Sequence, residues 1–143
     1  YSDIAAIANP LLPNLFQCFG GDPNSCLGGS NGSGFGWEDM NIYKIGYQYD
    51  AGTWQIRAGF STTDQPIPDT ETLFNIIAPA VVEDHWTAGF SVDVGKSSGL
   101  DFSFMYAPAV KVSGANTLEA PGAQNITLEM KQYEFGANYS WRY

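Results

Sequence analysis

The side chains that could carry chemistry in this sequence are few and widely spaced. His85 is the only histidine, and the acidic residue next to it in the chain is Asp84. Acid–base or nucleophilic catalysis needs a second group within hydrogen-bond reach, and no such nucleophile–base or carboxylate pair stands out. We therefore interpret His85 as structural and expect no catalytic residues, no enzymatic activity and no cofactor.

The two cysteines, Cys18 and Cys26, form the one close pair of potentially reactive side chains. Gly20, Gly21 and Pro23 lie between them and favour a turn. No C-x-x-C spacing or histidine partner is present, so the pair indicates neither a zinc site nor redox chemistry, and we expect no metal. The spacing predicts a disulfide formed in an oxidising compartment, with two free thiols as the alternative.

The balance of charge excludes one class of partner. The chain has 143 residues, 15 acidic and 6 basic, for a net charge of −9. Nucleic-acid binding needs a basic patch, and the sequence has none. Acidic residues concentrate in predicted loops, where we interpret them as solubilising groups, with divalent-ion binding as a weaker alternative.

The elements that would position these groups are predicted strands in which apolar and polar residues strictly alternate. In the segment Tyr133–Tyr143 every odd residue is aromatic or alanine, and every even residue is polar, charged or glycine. Successive side chains of a strand point to opposite faces, so one face is apolar and the other polar. The same alternation occurs in Tyr43–Tyr49, Trp54–Phe60, Trp86–Val94 and Leu100–Tyr106.

The composition of the two faces favours a membrane setting over a soluble sandwich. The polar face carries Gly, Ser, Gln and Asn where a sandwich usually carries Lys and Glu, and aromatic residues lie near both ends of most apolar faces. A lipid-facing band between two aromatic girdles, with a polar lumen, has this pattern. We predict an all-β fold, an antiparallel transmembrane β-barrel.

The connections alternate between short and long. Residues 50–53 and 95–99 are predicted tight turns, and 8–39, 61–84 and 107–125 are predicted long loops. Residues 1–7 are predicted to be the end of a further strand, which gives five complete strands and one partial strand. Because bacterial barrels have at least eight strands, we expect a single-domain C-terminal piece of a larger barrel, completed by the same or another chain.

This topology predicts the location and the orientation of the chain. Long loops of outer-membrane barrels face outside and short turns face the periplasm, so we expect a periplasmic C-terminus in a bacterial outer membrane. The chain opens without a signal peptide, which indicates that a leader was removed or that the chain is an internal piece.

Five charged side chains fall on the polar, lumen-facing side of the predicted strands. They are Lys44, Arg57, Asp93, Asp101 and Glu134. We expect the two basic residues to pair with lumen acids, and contact with a ligand is the alternative.

Two apolar segments lie in predicted loops, where apolar side chains exposed to water would favour aggregation. The segment Leu73–Val82 is almost wholly apolar, and residues 10–16 form a shorter one. They either pack on other loops or line a hydrophobic path for a ligand. The ligand-binding candidates are Leu73, Phe74, Ile76, Ile77, Leu12 and Phe16.

Three groups of segments carry a family resemblance. They are Tyr1–Ile4 with Ala6–Pro10; Gly34–Gly46; and Arg57–Phe60 with Gln65–Pro68 and Leu73–Pro79. The sequence resembles the C-terminal part of the FadL/TodX family of outer-membrane transporters of long-chain fatty acids and hydrocarbons. The resemblance covers the whole chain and implies a fourteen-stranded barrel whose N-terminal hatch and first strands lie outside this sequence.

The function that the resemblance implies is passive uptake of hydrophobic small molecules through a plugged barrel. Fatty-acid binders of the family hold the carboxylate with basic residues, but no Lys or Arg precedes Lys44 here. Alkanes and aromatic hydrocarbons are therefore substrates as plausible as fatty acids. The alternatives are a general or ion-selective porin and a structural or surface-interaction protein.

Overall fold

The structure is a computed structural model that describes residues 4–141. The strands are β1 (Ile42–Asp50), β2 (Trp54–Thr63), β3 (His85–Val94), β4 (Ser98–Ala115) and β5 (Asn125–Trp141). The helices are α1 (Ala5–Ala8) and α2 (Leu11–Phe19), and short 3-10 turns cover Pro23–Ser25, Asp69–Glu71 and Phe74–Ile76. The predicted strand residues Arg142 and Tyr143, and residues 1–3 of the resemblance, lie outside the described range.

The five strands form one antiparallel sheet in chain order, β1-β2-β3-β4-β5. Its register places Tyr47 opposite Ala58, Ala58 opposite Ala88, and Ala88 opposite Phe104. The predicted all-β antiparallel fold is confirmed at this level. Among the described residues the sheet is open, with β1 and β5 as its two edges.

The chain divides into two units, which we name here. The sheet unit comprises Ile42–Thr63, Val82–Ala109 and Lys131–Tyr143, and the loop unit comprises Tyr1–Asn41, Asp64–Val81 and Val110–Met130. The loop unit has its own apolar core of Ile67, Val81 and Leu128. The partly buried side chains that pack on this core are Trp37, Val112, Ile126 and Met130.

Strands β4 and β5 are longer than predicted, and the predicted loop 107–125 is wrong over most of its length. Both strands continue into the loop unit, so residues 116–124 alone connect them. Lys111 and Glu129 form an ion pair of 3.1 Å, and the hydroxyls of Ser113 and Thr127 are 2.8 Å apart. In the loop unit, β4 and β5 are therefore held together by cross-strand polar pairs and buried aliphatic side chains. The aromatic residues that predict the strands of the sheet unit are absent from these two ends.

The N-terminal region is helical, so the predicted strand end over residues 1–7 is wrong for the described residues, and the predicted loop 10–16 is wrong as well. Pro10 precedes α2, where a fixed φ suits a helix start, and Pro13 lies in the first turn, where its missing N–H has no partner to lose. Leu11 and Asn14 form the buried side of α2.

The predicted disulfide between Cys18 and Cys26 is confirmed, with a Cα–Cα distance of 4.7 Å. It joins the end of α2 to the residue after the 3-10 turn Pro23–Ser25. Asp22 caps that turn, accepting hydrogen bonds from the Asn24 backbone N–H at 3.0 Å and the Ser25 hydroxyl at 2.7 Å. The disulfide and the cap together order a segment that has few apolar anchors.

Replacing both Cys18 and Cys26 by serine should loosen this segment by roughly 2–3 kcal/mol, because the ring removes chain entropy from the open state. Limited proteolysis should show faster cleavage between residues 19 and 30 in the variant. Protein from intact cells, alkylated without reductant, should carry no modified cysteine. Two alkylated thiols would contradict the bridge.

Candidate functional site

The sheet unit exposes one continuous apolar face, which we call the aromatic face. It is formed by odd residues of β1 and β5 and even residues of β2, β3 and β4. Phe135 is 79% exposed, Ile45 73% and Tyr47 67%, far more than isolated surface hydrophobics would explain. A continuous apolar surface of this kind marks contact with lipid, ligand or another protein.

Residue types are sorted along the part of the aromatic face that β5 forms. Tyr139 and Trp141 lie together at the C-terminal end of β5, with ring centroids 5.8 Å apart, and Tyr133 lies near the start of the part of β5 that belongs to the sheet unit. Phe135 and Ala137 occupy the middle. Tyr133 and Trp141 are separated by about 26 Å along the strand, which is of the order of the ~25 Å apolar band of a membrane barrel.

The opposite face of the sheet unit is a polar groove of about 780 Å³. Glycines on four strands (Gly46, Gly59, Gly89 and Gly136) line it and leave its floor low. A Cβ at Gly136 would displace the Ser103 hydroxyl from its present position. The groove owes its depth to these glycines.

Arg57 is the centre of hydrogen bonding in the groove. Its guanidinium donates to the Gln48 side-chain oxygen at 3.1 Å, to the Ser91 hydroxyl at 2.8 Å and to Gln55. Ser91 donates to an Asp101 carboxylate oxygen at 2.6 Å, and the Asn138 amide donates to the other at 3.2 Å. The groove therefore holds a preorganised polar network with one cation and one anion.

The predicted ion pairs in the lumen are wrong for the described residues. Arg57 reaches Asp101 only through Ser91, and no ion pair joins Lys44 or Arg57 to Asp93, Asp101 or Glu134 within residues 4–141. Amide and hydroxyl side chains on β1, β2 and β3 accept the hydrogen bonds of the guanidinium instead. Asp93 lines a neighbouring recess, Glu134 lines another beside Thr87 and Met105, and Lys44 is exposed on the edge strand β1.

The loop unit is organised around one buried amide, Asn75. Its side-chain oxygen accepts a 2.6 Å hydrogen bond from the Trp37 indole, and its amide donates at 2.8 Å to the backbone oxygens of Phe35 and Glu71. The side chain is fully buried. Asn75 thus fixes the apolar segment Leu73–Val82 onto the Phe35–Trp37 segment.

The predicted ligand-binding residues occupy different environments. Phe74 is half-buried and stacks on Phe35 with ring centroids 4.9 Å apart, and Leu73 is also half-buried. Ile76 and Ile77 are 53% and 70% exposed. In α2, Leu12 is half-buried and Phe16 is 62% exposed. The exposed subset offers an apolar surface of its own.

A single carboxylate ties the two predicted loop segments together. Glu71 accepts a 3.2 Å hydrogen bond from the Leu11 backbone N–H at the start of α2, where a helix has unpaired donors. Its side chain also packs on Gly36, whose φ of +66° suits glycine and whose Cβ would collide with Glu71. Helix α2 and the apolar segment are therefore fixed in one unit.

Sequence reasoning missed the residues that organise these sites. Asn75 is the only polar residue in Leu73–Val82, and a lone amide inside an apolar run indicates a buried hydrogen-bonding role. Gln48, Ser91 and Asn138 belong to the same alternating polar face as Arg57, so alternation already placed them. Their partners depend on strand register, which alternation leaves open.

Two carboxylates outside the strands have lowered pKa values. The Ser25 hydroxyl and then the Asn24 N–H lower the pKa of Asp22, and the Asn41 backbone N–H and then its side-chain amide lower that of Asp64. Both groups are exposed and ionised at neutral pH. Asp22 caps a turn, whereas Asp64, the residue after β2, accepts hydrogen bonds from Asn41, the residue before β1. A lowered pKa makes a carboxylate a weaker base.

Comparison of the chain with known protein families, with curated proteins and with solved structures finds no match. No cluster of three or more metal-ligating side chains occurs among the described residues. In the same part of the chain, neither helix has the length and apolarity needed to cross a membrane.

Proposed function

We propose that this chain forms part of the wall of an outer-membrane β-barrel that takes up hydrophobic small molecules passively. The observation that carries the proposal is the aromatic face, on which Tyr133, Tyr139 and Trp141 of β5 flank Phe135 and Ala137. Amphipathic Tyr and Trp side chains favour the two membrane interfaces, and the middle of such a face meets hydrocarbon.

The polar groove on the other face supports this orientation. In a barrel wall that face lines the lumen, where polar side chains can be hydrated or can contact a plug. The network of Arg57, Ser91 and Asp101 suits a wet lumen and would be costly in lipid. The open edges β1 and β5 expose unpaired backbone groups, so within a bilayer they require the remaining strands of a barrel.

The apolar surface of the loop unit supports hydrophobic substrates. Ile76 and Ile77 expose aliphatic side chains on a segment that Asn75 and Glu71 hold in place. Buried apolar surface contributes roughly 25 cal/mol per Å², so a few such contacts bind an alkane or an aromatic hydrocarbon without any charge. The substrate class is therefore long-chain fatty acids, alkanes or aromatic hydrocarbons.

Replacing Ile76 and Ile77 together by serine should reduce uptake of a radiolabelled alkane or aromatic hydrocarbon several-fold. Both side chains are already exposed, so the fold should survive, and heat-modifiable gel mobility checks barrel assembly. Replacing Phe74 as well as Ile77 is the stronger test, although it also removes the ring stacked on Phe35.

The matched control is Leu118→Ser, which removes another exposed aliphatic side chain of the loop unit, 66% exposed. Its uptake should equal that of the wild type. If an assembled Ile76/Ile77 variant transports normally, the segment serves packing only.

The Arg57 network favours one alternative, a water-filled porin, because charged groups at a constriction control ion selectivity. Planar-bilayer recordings separate the two functions. A plugged transporter should give little steady current, whereas a porin should conduct and change its ion selectivity on Arg57→Gln.

A further inference from the structure

The aromatic face contains a recess of about 460 Å³. Four phenyl rings line it, from Phe90, Phe102, Phe104 and Phe135, and the small side chains of Ala88 and Ala137 leave the space between them. Phe104 and Phe135 are in ring contact at 4.9 Å. The recess is therefore an apolar depression whose volume is enough for part of a hydrocarbon chain.

A cation lies beyond one end of this recess. On β4 and β5 the ring pair that follows Phe104 and Phe135 is Tyr106 and Tyr133, stacked with centroids 5.0 Å apart. The Lys131 ammonium lies 5.0 Å from the Tyr133 centroid and 5.8 Å from that of Tyr106. Lys131 and Phe135 share a strand face and are about 13 Å apart along it.

Lys131 has no carboxylate partner among the described residues, in contrast to Lys111, which pairs with Glu129. At a membrane interface, lysine extends its ammonium toward the headgroups while its stem covers apolar surface. Aromatic rings beneath the ammonium stabilise it further.

We propose that the aromatic face carries a specific site for one anionic, phosphate-bearing lipid of the surrounding membrane. An acyl chain lies in the recess lined by the four phenylalanines. The phosphate pairs with Lys131, and the Tyr106 and Tyr133 hydroxyls are available as further donors. The site rests on the membrane placement proposed above. It is separate from the transport path, and its lipid stays bound and is not transported.

The test measures lipid bound to the purified full-length protein in detergent micelles by native mass spectrometry. Phosphatidylglycerol should bind, and phosphatidylcholine should bind several-fold more weakly. Lys131→Gln should weaken phosphatidylglycerol binding about tenfold, the usual effect of losing a charge-assisted contact. Lys131→Arg should retain binding, and Lys96→Gln, at an exposed turn, is the charge-matched control.

A second variant tests the recess without changing charge. Ala137→Phe should fill the space and weaken phosphatidylglycerol binding several-fold. Glycerol phosphate, which has the headgroup charge but no acyl chain, should bind far more weakly than the lipid. Unchanged binding in Lys131→Gln or in Ala137→Phe, or equal binding of glycerol phosphate, would overturn the site.

Failure of this site is distinguishable from failure of the proposed function. If the protein inserts into membranes and transports normally while Lys131→Gln binds lipid like the wild type, only the lipid site is wrong. If the protein does not fractionate with membranes, both the proposed function and the lipid site are wrong.

Discussion

Arginine in place of Ala137 should lower the stability of the membrane-inserted protein by about 2–4 kcal/mol, the usual cost of a charge on the lipid face near the midplane. Ala137 is exposed on the aromatic face, between Phe135 and Tyr139. A guanidinium at this position has no carboxylate on its own face to contact. Denaturant unfolding in phospholipid vesicles measures the change.

Asn138→Arg is the matched control, since it places the same side chain one residue along the strand. Asn138 lies on the polar face, where it donates to Asp101 at 3.2 Å. An arginine there can pair with that carboxylate and remain hydrated, so its effect should be under about 1 kcal/mol. Equal costs at both positions would show that the aromatic face does not meet lipid.

Asn75→Asp should destabilise the loop unit by about 3 kcal/mol or more at neutral pH. The substitution keeps the shape of the side chain and its bond from the Trp37 indole, but it removes both donors to the Phe35 and Glu71 backbone oxygens. Those two oxygens would then face a buried carboxylate, and unpaired buried groups cost about 1–3 kcal/mol each, more when charged. Hydrogen exchange of residues 65–81 should accelerate.

Asn125→Asp provides the comparison, because it adds the same charge at an exposed position of the loop unit. Its exchange rates should match those of the wild type. Similar protection in the two variants would mean that the Asn75 hydrogen bonds do not hold the apolar segment in place.

The sheet could be predicted from the sequence where aromatic and polar residues alternate. The spans predicted for β1, β2 and β3 agree with the structure to within three residues at each end, because one face is strongly apolar there. Beyond Tyr106, the alternation of apolar and polar residues does not predict the rest of β4, which continues to Ala115. There Pro108, Gly114 and polar Lys111 resemble a loop, yet Val112 packs on the core of the loop unit.

The sites were predictable only in part, for a related reason. The disulfide follows from two nearby cysteines, and the faces of Arg57 and Asp101 follow from the period of a strand. The role of Glu71 at the start of α2 depends on a contact 60 residues distant in sequence, which no local pattern reveals. Helix α2 was not predicted, although Pro10 and Pro13 occupy positions that the start of a helix tolerates.

The order of the strands has a consequence for the way the sheet forms. Each strand pairs with its neighbour in sequence, so every pairing closes a loop no longer than the connection between two strands. Such local pairings give a low contact order, which favours fast formation. The tight turns at 51–53 and 95–97 allow two hairpins to form first, on a microsecond timescale. Each finished hairpin then offers a free edge on which the next strand can add, so the sheet can grow sequentially.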